Sequence, residues 1–249
     1  MIIVKKLLLF TALYAFFAYP TVSSAELPWK IWKKNSTQTV SYRPVSLANS
    51  ADEKLIEIRA TAIVNSTLAG FLLFIDDVTN TPNWLVSAGE SKILQRYSAT
   101  ENSFYITLTK VWPLQSRILI LHSTYWQNDD LSIEINVKDA TYAQAMLITG
   151  INKDKYLQVK THRAHWQITP IKREQRAEGN NNDYRTAEIL LEYTFIADGR
   201  GDTPTWLADH FALKSIWKTL GNIKRQLPDK KWQQQTLKGI TELTVLPTP

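Results

Sequence analysis

Cysteine is absent from the 249 residues. That excludes a disulfide framework, a thiolate metal site and a cysteine nucleophile together. Glycine is scarce, at 8 residues, and none falls in a phosphate-cradling loop or a nucleophile elbow. Histidine numbers only 4. His162 and His165 stand three apart on an expected strand, so they point to opposite faces and chelate poorly. Asp198-Gly199-Arg200-Gly201-Asp202 lacks the oxygen ligands and closing Glu of a calcium loop. No metal and no cofactor is expected. Charge of one sign is not in large excess at +6, and the basic residues are dispersed apart from Lys30, Lys33 and Lys34. A nucleic-acid interface is therefore not expected.

What is present reads as an ordinary globular chain. Hydrophobic residues make up 44% and charged residues 21%, enough apolar material for a large core. The 9 Trp suit either that core or a lined cavity. The first 25 residues have the layout of a secretory leader: Lys5 and Lys6, an apolar stretch from Leu7 to Ala18, then Ser23-Ser24-Ala25 at a cleavage site. The stretch is shorter than the roughly 20 residues that span a bilayer. Export to the periplasm or beyond is expected, with retention as an uncleaved anchor the alternative. Loss of Lys5 and Lys6 would lower the charge of +6 by two. Transient contact with a membrane surface is compatible with that mild excess. Residues 26–240 are expected to form one domain, followed by a tail at 241–249.

Along the mature chain, the period of the apolar residues assigns the elements. Glu26–Lys34 reads as a short amphipathic helix. Val40–Arg43 and Ile56–Ala62 alternate as strands around a polar loop at Ala48–Lys54. Ser66–Asp76 repeats every three to four residues and predicts a helix capped by Ser66 or Thr67. A short helix or turn follows at Pro82–Ser87. Strands are expected near Phe104–Leu108, at Arg117–Trp126, from Leu131 to Lys138, within Tyr156–Ile171, and at Tyr184–Ala197 after a charged loop at Lys172–Asp183. Thr203 and Pro204 are placed to cap and open a final helix to Leu227. Its apolar stripe is Trp206, Leu213, Ile216, Leu220, Ile223 and Leu227, and at 1.5 Å per residue it is about 36 Å long. Lys230–Gly239 reads as a further short helix. The fold class is α+β, a sheet with the final helix packed into it.

Three segments in this order resemble landmarks of the START (StAR-related lipid transfer) domain. Val111-Trp112-Pro113-Leu114-Gln115-Ser116-Arg117 is similar to the family's Pro-Trp-Pro-Leu-x-x-Arg segment. His165-Trp166-Gln167-Ile168-Thr169-Pro170 is similar to its Gly-x-Trp-x-apolar-x-Pro strand. Ala197–Leu207 is similar to its Asp-Pro-Gly-Gly approach to the closing helix. Ser116 and Ile118 stand where the family often has Asp on either side of the Arg, and Asp198-Gly199 replaces Asp-Pro. Those departures bear on ligand identity more than on fold.

The resemblance implies a helix-grip fold, a curved antiparallel sheet wrapped around the long C-terminal helix with an apolar tunnel between them. It implies non-catalytic binding, and by extension transfer, of a lipid or other hydrophobic small molecule by a monomer. The expected wall is Phe104, Ile106, Leu119, Trp126, Trp166, Tyr193 and Phe195 from the sheet, with Trp206, Leu213, Ile216 and Leu220 from the helix. Arg117 is the expected polar contact, paired either with a carboxylate such as Glu192 or with a ligand head group. Two other readings stay open: a helix-grip enzyme acting on a hydrophobic substrate, and a ligand-free scaffold whose cavity is filled by its own side chains.

Overall fold

The structure, a computed structural model, describes residues 27–46, 55–109, 115–145, 147–148, 155–171 and 187–243. The leader, the loop Ala48–Lys54, the Val111–Leu114 half of the first motif and the loop Lys172–Asp183 lie outside the described residues.

Alternation builds the sheet. The strands β1 (Lys30–Lys34), β2 (Gln38–Val45) and β3 (Leu55–Asn65) form an antiparallel meander. β3 sends Ile58, Ala60, Ala62 and Val64 into the core and Glu57 and Arg59 to the opposite face. Helices α1 (Leu68–Asp76) and α2 (Thr81–Trp84) then carry the chain to the far edge. From there β4 (Ala88–Arg96), β5 (Glu101–Leu108), β6 (Arg117–Gln127) and β7 (Ile133–Asp139) step back antiparallel. After a short helix α3 (Tyr142–Ala145) come β8 (Leu157–Gln158), β9 (Lys160–Pro170) and β10 (Glu188–Asp198). The order across the sheet is β1-β2-β3-β10-β9-β7-β6-β5-β4, with β8 paired to β6. β10 closes the middle against β3, so one curved sheet holds all the strands.

The segment expected to be a helix at Glu26–Lys34 is a strand over its second half. β2 would otherwise present an open row of backbone donors and acceptors, and β1 fills it while its lysines blunt the new edge. Aromatic contacts fix it there. Trp32 packs edge-on against Trp217 at 6.4 Å, and Trp29 lies under the guanidinium groups of Arg43 and Arg59. These arginines belong to an ionic ladder on the outer face. Glu57 takes Arg43 and Arg163, and Glu192 takes Arg59 at 2.6 Å.

α1 begins as expected: the Thr67 hydroxyl accepts the Gly70 amide at 2.9 Å. The closing helix α4 (Thr205–Gln226) packs across β3 and β2. Leu213, Ile216, Leu220, Ile223 and the following Leu227 are all buried, as the stripe predicts. Its start is a correction. Pro204, not Thr203, holds the cap position, and no side chain caps it. The turn before it does the orienting. The Asp198 carboxylate accepts the Arg200 amide at 2.7 Å, and Arg200 and Gly201 have φ of 52° and 83°. Glycine adopts that left-handed conformation without strain. After α4, α5 (Lys230–Gln233) folds back on α1. Gln233 accepts the Thr67 amide, and the Glu242 carboxylate accepts the amides of Leu68 and Ala69 at 3.0 and 2.7 Å. Glu242, placed by sequence in the tail, thus satisfies free donors at the start of α1 and favours its dipole.

Candidate functional site

Between the concave face of the sheet and α1, α2 and α4 lies a cavity of about 330 Å³. The local folding of each element accounts for its wall. Even positions of β5 turn Phe104 and Ile106 inward, and odd positions of β6 turn Leu119 and Leu121 inward. Trp166 of β9 and Tyr193 of β10 are direct cross-strand partners, and their rings stack 4.2 Å apart. Phe195 stacks on Tyr193 at 5.1 Å. α4 contributes Ala212 and Ile216, and α1 contributes Leu72 and Ile75. Burial pushes the Tyr193 phenol well above its usual titration range, so it stays neutral at physiological pH.

Of the residues expected to form the wall, Phe104, Ile106, Leu119, Trp166, Tyr193, Phe195 and Ile216 line this cavity. The others do not. Trp126 is 43% exposed because it sits at an even position of β6 and faces out. Trp206 is 71% exposed, in the first turn of α4 before the helix reaches the sheet. Leu213 and Leu220 belong to the solid core that α4 shares with β2, β3 and α1. Trp206→Ala is accordingly expected to change stability by no more than about 0.5 kcal/mol, as read from its melting curve.

Glu192 is taken by Arg59, so it is not the partner of Arg117. The Arg117 Nε donates to the Gly199 carbonyl at 2.8 Å, Nη1 to Gln115 at 2.9 Å and Nη2 to Arg200 at 3.3 Å. Burial lowers its pKa, and the Asp198 charge opposes that shift. Arg117 therefore pins the turn that aims α4 at the sheet. Arg117→Lys is expected to cost about 2 kcal/mol in denaturant unfolding despite the retained charge, because an ammonium cannot satisfy the planar fork's three acceptors.

One polar cluster of the wall is Asp76, Thr100, Asn102, Ser123 and Tyr125, and Thr81, Thr161, Ser215 and Thr219 also line the cavity. Sequence reading missed this cluster. Its members come from the end of α1 and from β5, β6 and the loop before β5, and no local spacing links them. Asp76 accepts two hydrogen bonds from Arg96 at 2.8 and 2.9 Å. The Asn102 amide donates to Asp76 at 3.3 Å, and the Tyr125 hydroxyl donates to the Ala99 carbonyl. Burial, then the neighbouring Asp76 charge, raises the Tyr125 pKa. Asp76 is the one charged residue on the wall among the described residues, and no Lys, Arg or His joins it.

The histidines lie apart, His122 against Glu101 at 3.0 Å and His165 against Glu134 at 2.6 Å. Among the described residues no group of three or more metal-ligating side chains occurs. No described helix is long and apolar enough to cross a membrane.

An antiparallel sheet gripping a long C-terminal helix over an internal cavity is the helix-grip architecture, and solved structures of START domains share it. A STAR-related lipid transfer protein fragment from Xanthomonas axonopodis superposes with a TM-score of 0.61 at 20% identity, covering 81% of this chain and 99% of that one. Human StAR-related lipid transfer protein 5 gives 0.60 at 17% identity, covering 82% and 87%. In fold, the chain is a START-like domain. No family model and no curated protein sequence matches it.

Proposed function

We propose that this chain binds a hydrophobic small molecule in the cavity and carries it through water as a non-catalytic, monomeric protein. The observation that carries the proposal is the cavity itself: about 330 Å³ of space walled by aromatic and aliphatic side chains beneath α4. Each methylene taken from water into such a space gains about 0.8 kcal/mol, and immobilising the ligand offsets part of that gain. The similarity in fold to proteins named for lipid transfer supports the same reading. Carriage is favoured over catalysis by the composition of the wall. Among the described residues, its single carboxylate is held by Arg96, and no histidine or lysine lines the wall to exchange a proton with it. The leader-like N-terminus supports export to the periplasm or beyond, with N-terminal sequencing of the exported protein as its check.

The test is uptake. The purified chain is mixed with vesicles containing tritiated decan-1-ol and separated by gel filtration. Tritium is expected to co-elute with the protein at up to one probe per chain. Protein fractions without tritium would reject the proposal.

A further inference from the structure

The proposed carrier function leaves the ligand's polar end open, and the wall chemistry addresses it. Resting on that reading, we infer that the cavity selects an uncharged single-chain amphiphile whose polar end donates a hydrogen bond to Asn102.

Size comes first. The volume of about 330 Å³ is at the small end of ligand pockets and has room for one chain of about ten carbons with a small polar group.

Charge comes second. An anionic head group drawn into this space would lose its hydration and meet no cation on the described wall. Arg96 does not line the cavity, and both of its terminal nitrogens are turned to Asp76. A cationic head group would find Asp76 already neutralised by the same pair.

The hydrogen-bonding sense comes third. The Asn102 amide nitrogen points to Asp76, since the reverse orientation would set its carbonyl against a carboxylate. Asn102 Oδ1 is therefore left as the acceptor, and it is buried with no partner in the protein. A buried acceptor without a donor is unfavourable, and a ligand hydroxyl or amide N–H removes that cost. Ser123, the direct cross-strand partner of Asn102, also lines the cavity. Its hydroxyl can take a donor or supply one. An ether oxygen cannot use Asn102.

Equilibrium binding of three tritiated probes to the full chain tests this: decan-1-ol, decyl methyl ether and decanoate, at pH 8. Decan-1-ol is expected to bind at least about tenfold more tightly than either of the others. Asn102→Leu is expected to remove the alcohol's advantage over the ether. If that variant fails to fold, Ser123→Ala is expected to reduce the alcohol's advantage in the same direction. Equal binding of all three probes, a preference for decanoate, or a full alcohol advantage in the folded variant would overturn this inference and leave the carrier reading standing. Binding of none of the three would overturn both.

Discussion

Leu220→Ala is expected to lower the free energy of unfolding by about 2–5 kcal/mol. Leu220 has no exposed surface and lies midway along the buried stripe of α4. It sits in the one core that joins the helix to β2, β3 and α1. The removed atoms lose their transfer free energy, and the remaining void cannot collapse where a helix is clamped over a sheet. For a chain of this size the melting temperature should fall on the order of 10 °C. Trp206→Ala on the same helix is the internal control and should leave the melting temperature in place. A Leu220→Ala variant that melts with the wild type would mean that α4 packs through another face.

Ala212→Trp is expected to abolish uptake of tritiated decan-1-ol. Ala212 lies on α4, lines the cavity and is only half-buried, so an indole there would project into the void without displacing core residues. Overpacking of this kind costs about 1–3 kcal/mol, far less than the Leu220 change, so the fold should persist. Ala164→Phe makes the same change from the opposite wall, on β9. Two folded variants that block from opposite sides and still take up the probe would place binding outside the cavity.

Much of the frame was legible in the residues because it rests on short periods. The alternation of Ile56, Ile58, Ala60 and Ala62 places β3, the Thr67 cap places α1, and the stripe from Leu213 to Leu227 places α4. The outward-facing Trp126 could have been found by the same reasoning. It stands seven residues from Leu119 on one strand, and an odd offset puts the two on opposite faces. Trp206 could not. It falls on the helical stripe by spacing, and nothing in the sequence marks where a helix overhangs its sheet. β1 was lost to tertiary context, because what holds it is the edge of β2 and the rings of Trp29 and Trp32 against partners far along the chain.

The polar chemistry was the least legible. Arg117 satisfies itself with backbone carbonyls, two of them in a turn more than eighty residues away, and carbonyls leave no trace in the residue types. Glu242 likewise accepts from backbone amides of α1. Asp76 and Arg96 are twenty residues apart on different elements, and only the closed sheet brings them together with Asn102 and Tyr125.

Native mass spectrometry of the gently purified protein, followed by organic extraction of whatever it holds, tests the central claim most directly. The account predicts a one-to-one complex with a small, uncharged, extractable hydrophobic molecule, present in the wild type and missing from Ala212→Trp. A complex of the same mass in both proteins, or a bare chain that refuses every hydrophobic probe offered, would contradict it.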